Sequence, residues 1–203
     1  MPERYKTVLL FGTPGVGKGT QGKIMGTIPG FFHFATGDMF RSIDKNSPHG
    51  KTFHEYSSRG DLVPDAVTVG IWADAVEARV ESGGYNPAED LLILDGIPRT
   101  VEQARIMNEF VAVLKIVHLV CKNPDVVLER LRLRAVREGR HDDGDESVMR
   151  NRWAVYRRET APLLETYPKD LIVEIDAVGT PAQVLLRTLQ VVESVRRCHF
   201  AAD

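Results

Sequence analysis

A glycine-rich turn near the start of the chain carries the residue types that bind phosphate. An apolar run ending at Phe11 leads into the turn, and Lys18 follows where the pattern predicts the start of a helix. Backbone N–H groups of such a turn surround an anion, and the lysine adds a point charge. The general pattern places a serine or threonine directly after the lysine, whereas here Gly19 intervenes and the hydroxyl follows at Thr20. The turn therefore predicts a nucleotide phosphate site, with its cradle formed around Gly12, Gly15 and Gly17.

A carboxylate and two arginines indicate a second group of phosphate contacts. Asp95 directly follows four apolar residues, where P-loop enzymes keep an acidic residue near the magnesium ion of the nucleotide. Arg99 can direct a bidentate fork at a phosphate, and Arg41 lies in a separate segment. A hydrolase needs only one nucleotide site. Phosphate-facing groups placed apart from Lys18 therefore predict transfer between two nucleotides.

Further arginines are concentrated between residues 130 and 158. Arg130 and Arg134 are one helical turn apart and share a face, and Arg152 falls on the next predicted helix. A transferred phosphoryl group carries spread negative charge, and an arginine placed on it can raise the rate roughly 10³-fold or more. Gly139 and the turn at 142–144 predict a small lid whose closure would exclude water. Four of these arginines are interpreted instead as part of a solvated helix face: Arg132, Arg137, Arg157 and Arg158.

The composition is that of a soluble globular protein. The chain has 203 residues, 43% of them hydrophobic, and a net charge of −2, which excludes a polyanion binder driven by bulk charge. Cys121 and Cys198 have no CxxC spacing, and the histidines have no ligand spacing. No apolar run reaches transmembrane length, and exposed aromatic platforms for nucleic acid are lacking. We expect a cytoplasmic protein with no membrane or nucleic-acid partner.

Predicted strands and helices alternate along the whole chain. Strands are predicted before the glycine turn and at 31–35, 91–94, 116–120 and 171–175. Helices are predicted at 18–28, 47–59, 65–81 and 101–111, with a further short helix capped at Thr36. Three more helices are predicted to begin at 124, at 145 or 147, and at 181, and the second of these is predicted to end at about 165. This alternation predicts an α/β fold, a P-loop doubly wound five-stranded parallel sheet flanked by helices. Ligands bind beyond the carboxyl ends of such strands, so the polar motifs should form one site.

Taken together, these motifs resemble the adenylate kinase family across nearly the whole chain. The glycine turn looks like the phosphate loop of that family, including the glycine after the lysine. Residues 36–41, 60–64 and 95–100 with Gln103 match its monophosphate-site motifs. The lid region and the helix after it match at Arg130, Arg134, Arg140, Asp142, Asp143, Arg152, Tyr156, Thr160, Pro162 and Leu163, and residues 176–179 resemble the loop that borders the ATP adenine.

The resemblance implies reversible transfer of the ATP γ-phosphoryl group to AMP, giving two ADP, with Mg²⁺ bound through water near Asp95. The catalytic residues it implies are Lys18, Arg99, Arg134, Arg140 and Arg152. The implied ATP site comprises Gly15, Val16, Gly17, Lys18, Gly19, Thr20, Arg130, Arg134 and Gly179. The implied AMP site comprises Thr36, Arg41, Asp61, Leu62, Val63, Gly96, Ile97, Pro98, Arg99, Gln103, Arg140 and Arg152, with Thr36, Val63 and Gln103 facing the base.

The domain organisation implied is one P-loop core over residues 1–203, with a monophosphate-binding segment at 36–65 and a short lid at 135–146. This lid lacks the strand insertion and its cysteines, so the resemblance implies no structural zinc. We expect a monomer.

The chain departs from the family pattern at two places. Ile97 replaces the usual phenylalanine, which leaves the packing beneath the monophosphate site open. The spacing from Arg140 to Arg152 is one residue longer than usual, so Arg150 competes with Arg152 for the same role.

The sequence favours an AMP kinase over three alternatives. UMP/CMP kinases usually carry Ala-Gly in place of Thr36-Gly37 and asparagine in place of Thr100, and Gln103 offers an amide that can pair with adenine. A catalytically silent nucleotide sensor could lose Arg99, Arg134 or Arg152, all of which are present. A GTPase-like switch would carry a hydroxyl directly after Lys18 and a guanine-reading loop, and neither is present.

Overall fold

The protein, described here by a computed structural model over residues 3–138 and 145–200, is built on five parallel strands in one sheet. The strands are β1 (Tyr5–Phe11), β2 (Phe31–Ala35), β3 (Leu91–Asp95), β4 (Val111–Val120) and β5 (Ile172–Asp176). Their order across the sheet is β2-β3-β1-β4-β5, and every neighbouring pair is parallel. The predicted five-stranded parallel α/β fold is confirmed.

Helices cover both faces of the sheet. They are α1 (Lys18–Met25), α2 (Thr36–Ser42), α3 (Pro48–Ser57), α4 (Asp65–Glu81), α5 (Val101–Met107), α6 (Pro124–Glu138), α7 (Glu146–Val155) and α8 (Pro181–His199). Helix α7 runs into a π-helical turn at Tyr156–Thr160, followed by 3-10 segments at Ala161–Thr166 and Lys169–Leu171. In the described ranges, no helix is long and apolar enough to span a membrane.

The central strands are buried on both sides because each face of the sheet packs against helices. Leu10 of β1 points into a core shared with Met25 of α1 and Val192 of α8. Leu9, its neighbour in sequence, points into the opposite core with Trp72 of α4. Successive side chains of one strand thus pack into two different cores on opposite faces of the sheet. This arrangement accounts for the continuous apolar runs in the sequence.

The register of the strands brings the polar motifs to one edge. Leu10 pairs with Asp95 of β3, and Phe11 pairs with His118 of β4. Ala35, the last residue of β2, also pairs with Asp95. The loops after β1, β2, β3 and β4 therefore leave the sheet side by side at its carboxyl edge.

Three predicted helix ends were wrong. The helix predicted over 18–28 ends at Met25. The helix predicted over 101–111 ends at Met107, because Val111 pairs with Tyr5 and belongs to a strand that begins well before 116. Strand pairing overrides local propensity at such a boundary. The helix predicted to reach about 165 ends as an α-helix at Val155 and continues as π and 3-10 turns up to Thr166. Pro162 has no N–H to donate, which prevents regular α-helical bonding in this segment.

The expected cap at Thr36 was also wrong. Helix α2 begins at Thr36 itself, and its N-cap residue Ala35 makes no side-chain cap. The Thr36 hydroxyl instead donates to the backbone carbonyl of Asp95 at 3.2 Å. This hydrogen bond ties the end of β2 to the end of β3, where the site begins.

Candidate active site

A cleft of about 520 Å³ runs along the carboxyl edge of the sheet. It is lined by the glycine turn, the start of α2, the 60–63 loop, the 95–99 turn, and parts of α6 and α7. This volume lies within the range of small-molecule sites. The lining contains most of the motifs that the sequence singled out for chemistry.

The loop between β1 and α1 is shaped by glycines with left-handed backbone angles. Gly15 has φ +87°, and a side chain on it would also run into Leu131 of α6. Gly17 has φ +113° and forms the N-cap of α1 without any side-chain cap. The first N–H groups of α1 therefore face the cleft without a side-chain partner at the N-cap, which suits an anion.

Lys18 closes this loop. Its ammonium group donates to the backbone carbonyls of Gly12 at 2.7 Å and Thr13 at 3.2 Å. Burial lowers the pKa of Lys18 to about 8; Asp95 opposes this shift, and the nearby positive charges of Arg99, Arg134 and Arg152 add to it. A lysine placed among arginines in this way needs an added negative charge to hold its proton firmly.

Asp95 stands beside the loop at the end of β3. A side chain on Gly19 would come within 3.4 Å of Asp95 Oδ2, so the carboxylate lies close to the start of α1. The Thr20 hydroxyl lines the same cleft as the Asp95 carboxylate. Oxygen atoms of these two kinds suit the hard cation Mg²⁺ held through water. Among the described residues, no group of three or more His, Cys, Asp or Glu side chains could hold a metal ion.

Arg99 is held by its own turn and by two other elements. Its Nε donates to the Gly96 carbonyl at 2.7 Å, and its backbone N–H donates to Gln103 Oε1 at 2.7 Å. Its backbone carbonyl accepts from the Thr160 hydroxyl at 2.9 Å. These bonds fix the main chain on both sides of Arg99, so the turn presents its side chain to the cleft.

On the α2 side of the cleft, the guanidinium group of Arg41 is paired with the carboxylate of Asp38. Asp38 accepts a hydrogen bond from Arg41 and forms an ion pair with Lys23 at 3.2 Å. Burial raises the pKa of Asp38, but the hydrogen bonds from Arg41 and Lys23 outweigh it and leave the pKa below its usual value. Arg41 therefore enters the cleft from a fixed position.

Helix α7 contacts the predicted monophosphate-binding segment. Asn151 donates to the Arg59 carbonyl at 2.7 Å and to Asp61 Oδ1 at 3.0 Å. The Asn151 hydrogen bond is the main reason that the pKa of Asp61 is lowered. Arg152, the next residue, lines the cleft, whereas Arg150 is exposed and pairs with Glu146 at 3.0 Å through its Nε. The structure thus favours Arg152 over Arg150 for the position in the cleft.

Arg130 and Arg134 differ in their surroundings. Both line the cleft, but Arg130 donates to the carbonyls of Val16 at 3.1 Å and Ala177 at 2.9 Å. A weaker bond reaches Gly179 at 3.4 Å. Arg130 thereby joins the glycine loop to the loop after β5, in addition to any contact with a ligand.

Nearly all predicted site residues within the described ranges line this cleft. The exception is Ile97, which is 2% exposed and packs in the core with Leu94 and Leu163. Its packing beneath the site, left open by the sequence, is that of an ordinary core residue. Arg140 lies outside the described residues, together with Gly139, Asp142, Asp143 and the middle of the predicted lid at 135–146.

Sequence reasoning missed two features of the site. Phe40 and Phe53 stack with ring centroids 4.9 Å apart, and both line the α2–α3 side of the cleft. Asp65, taken only as the start of α4, accepts a hydrogen bond from Gln103 Nε2 at 2.9 Å. No local pattern shows either contact, because each joins residues that are distant in the chain.

A parallel α/β sheet with a P-loop and a second set of phosphate-facing arginines in the same cleft defines a nucleotide phosphotransferase. Comparison with known proteins specifies the family. Residues 10–172 match the family model for adenylate kinase. The chain is 41% identical to the adenylate kinase of Nocardia farcinica over 188 residues, covering 90% of this chain and 97% of that protein. It is 33% identical to the adenylate kinase of Flavobacterium psychrophilum over 195 residues, covering 93% and 98% of the two chains. The chain belongs to the adenylate kinase family, as its motifs predicted.

Proposed function

We infer that the protein catalyses the adenylate kinase reaction, in which ATP and AMP give two ADP reversibly. The observation that carries this inference is the single cleft that holds Lys18 of the P-loop and, on its other side, Arg41 and Arg99. An enzyme that hydrolysed one nucleotide would need only the P-loop side with Lys18, and not the arginines on the other side. The family membership supports the same reaction, and it does not favour a pyrimidine acceptor or a silent sensor.

We assign the donor nucleotide to the P-loop side. Backbone N–H groups of residues 15–20 and the Lys18 ammonium would surround the ATP phosphates. Arg134 would stabilise the transferring group, while Arg130 and Gly179 would border the nucleotide. Because Lys18 has a lowered pKa before ATP binds, the polyphosphate would restore its full positive charge.

We assign the acceptor nucleotide to the α2–α3 side. Arg41, Arg99 and Arg152 would bind the AMP phosphate, and Arg140 is assigned there from the family motif alone. Thr36, Val63 and Gln103 would face the base, within a loop wall completed by Asp61 and Leu62. In the reaction, an oxygen of the AMP phosphate forms a bond to the γ-phosphorus of ATP, and the bond from that phosphorus to the β–γ bridging oxygen breaks.

Magnesium would enter with ATP. Asp95 would hold it through water, with the Thr20 hydroxyl nearby, since these oxygen donors fit a hard cation. The ion supplies neutralisation of phosphate charge when bound. Lys18 and the arginines contribute the rest of the positive charge from this chain.

The proposal also covers the domain organisation, the oligomeric state and the cellular location of the protein. Residues 36–65 would form the monophosphate-binding segment and 135–146 the lid, and the hydrogen bond from Asn151 to Asp61 supports a contact of α7 with the first of these. A monomer is proposed as well, since this chain by itself supplies both Lys18 and the arginines Arg41 and Arg99 to the cleft. Both cysteines are free thiols, which suits the cytoplasm.

An acceptor panel tests the proposed function. The protein is mixed with ATP and Mg²⁺ and with AMP, CMP, UMP or GMP in turn, with GTP as a rival donor, and nucleoside diphosphate formation is followed. We expect fast formation of ADP with AMP and a loss of at least about 10³-fold in Lys18→Ala. Equal rates for wild type and Lys18→Ala would overturn the proposal, and a preference for CMP or UMP would overturn the choice of acceptor.

A further inference from the structure

The side-chain amide of Gln103 is held between two groups of opposite hydrogen-bonding character. Its Oε1 accepts from the backbone N–H of Arg99 at 2.7 Å, and its Nε2 donates to Asp65 Oδ1 at 2.9 Å. Gln103 is only 1% exposed, yet it lines the cleft. Asp65 approaches it from the start of α4 and is not among the described residues that line the cleft.

Both neighbours require the same orientation of this amide. A carboxylate only accepts hydrogen bonds, so it must face the NH₂ group, and a backbone N–H only donates, so it must face the carbonyl oxygen. A flipped amide would place oxygen against carboxylate and NH₂ against N–H, leaving two mismatched contacts on the buried side chain of Gln103. The main chain at this point is fixed as well, because the Thr100 hydroxyl accepts from the backbone N–H of Gln103 at 3.1 Å.

The orientation decides which base edge the amide can bind. An amide has two N–H donors and two acceptor lone pairs, so Gln103 keeps one of each for a ligand. Adenine presents an acceptor at N1 and a donor at its 6-amino group, which match an amide that offers N–H and C=O together. A 6-oxopurine presents a donor at N1 and an acceptor at O6, so the same geometry would require a flipped amide.

We propose that Asp65 is a specificity-determining residue of the acceptor site, because it locks Gln103 in the orientation that binds a 6-aminopurine and rejects a 6-oxopurine. This inference rests on the proposed function, in which the acceptor base lies against Gln103. Asp65 acts through Gln103 and is a positioning residue. Its carboxylate supplies the charge-assisted bond of the pair, and the Arg99 N–H supplies the neutral one.

The test compares AMP with IMP, which differ only at positions 1 and 6 of the purine. Values of kcat/KM are measured for both acceptors, with ATP and Mg²⁺, in wild type and Asp65→Asn. An asparagine can accept from or donate to Gln103, so it removes the orientation preference imposed by the carboxylate, leaves only the weaker one imposed by the Arg99 N–H, and keeps the shape of Asp65. We expect kcat/KM for AMP to fall about tenfold, mainly through KM, and the AMP:IMP ratio to fall at least about fivefold.

Glu102→Gln is the matched control. It removes a carboxylate next to Gln103 in the first turn of α5, but Glu102 is exposed and bonds to Arg105. The control should keep the wild-type ratio, and thermal unfolding of each variant shows whether it is folded. Equal loss of AMP and IMP activity in Asp65→Asn, with the ratio unchanged, would overturn the inference.

A double-mutant cycle separates this inference from the proposed function. In a Gln103→Leu background, Asp65→Asn should no longer change the AMP:IMP ratio, because the amide through which it acts is gone. A persistent effect of Asp65→Asn would overturn the positioning role. If the wild type forms no ADP from AMP, the proposed function is refuted. If the wild type is active on AMP but Asp65→Asn leaves the AMP:IMP ratio of kcat/KM unchanged, this inference alone is refuted.

Discussion

Lys18 is anchored by the same loop whose phosphate site it completes. Its hydrogen bonds to the Gly12 and Thr13 carbonyls keep the ammonium group at the mouth of the cradle. Burial and three nearby arginines lower its pKa to about 8, against the attraction of Asp95. The charge of this residue in the free enzyme is therefore sensitive to mildly alkaline pH.

We predict that kcat/KM for ATP falls as the pH rises through about 8, because the free enzyme loses the Lys18 proton there. With ATP bound, the phosphates favour the charged form, so kcat at saturation should fall only at higher pH. The measurement is a pH–rate profile from about pH 6 to 10 under both conditions. A kcat/KM profile that stays flat to about pH 9.5 would contradict the role of burial at Lys18.

At the scale of elements, close packing explains a pair of glycines that local propensity disfavours. A side chain on Gly22 of α1 would overlap the imidazole of His33 on β2, and Gly26 approaches the same residue. The glycines thus let α1 lie directly against the sheet. Gly70 of α4, in contrast, is exposed, and a methyl group added there would meet no atom within 4 Å beyond its own helical backbone and its chain neighbours.

Gly22→Ala should lower the free energy of unfolding by about 1–2 kcal/mol, since overpacking outweighs the gain in helix propensity. Gly70→Ala, the control, should raise it by about 0.5–1 kcal/mol. Urea unfolding of both variants measures the difference. The cost of Gly22→Ala should shrink in a His33→Ala background, and a Gly22→Ala variant as stable as Gly70→Ala would disprove the steric account.

Some of the elements and contacts could be predicted from the sequence, and others could not. The strands and the helix Asp65–Glu81 were predictable because apolar runs and helical spacing are local signals. The start of β4 at Val111 was not, since it depends on pairing with Tyr5. In the site, phosphate-binding residues were predictable from motif spacing. The Asp65–Gln103 bond was not, because it joins residues 38 positions apart whose side chains meet only in the folded chain.

Across the whole molecule, one side chain links three parts of the cleft wall. Arg130 extends from α6 to the carbonyl of Val16 in the glycine loop and to those of Ala177 and Gly179 after β5. These acceptors belong to segments at opposite ends of the chain. Arg130 therefore stabilises the arrangement of the donor side even before any nucleotide binds.

We predict that Arg130→Met lowers the free energy of unfolding by about 1–3 kcal/mol, because three carbonyls lose a charged donor. Arg132→Met is the control, as Arg132 is exposed on the same helix. Chemical unfolding without nucleotide provides the measurement. Equal stability of the two variants would show that Arg130 contributes only to ligand binding.

Two half-buried histidines are expected to make the stability of the whole fold depend on pH. Burial lowers the pKa of His33, although Asp95 and Asp38 oppose the shift and Lys23 adds to it. Burial likewise lowers the pKa of His118, which lies 3.4 Å from Glu174, 3.5 Å from the Tyr156 hydroxyl and near Lys18. Between each lowered pKa and the unfolded value near 6.5, the unfolded chain binds more protons than the folded one.

The free energy of unfolding should therefore be highest above pH about 6.5 and should fall as the pH decreases through the lowered histidine pKa values. One proton sets an upper limit of about 1.4 kcal/mol per pH unit on the slope from each histidine. Urea unfolding from about pH 5 to 7.5 measures it, with His33→Gln and His118→Gln expected to flatten the curve separately and the double variant most of all. The same substitution at exposed His54 serves as the control. If the double variant kept the wild-type slope, the acid sensitivity would arise from carboxylates that titrate below about pH 5, and burial of the two imidazoles would have no part in it.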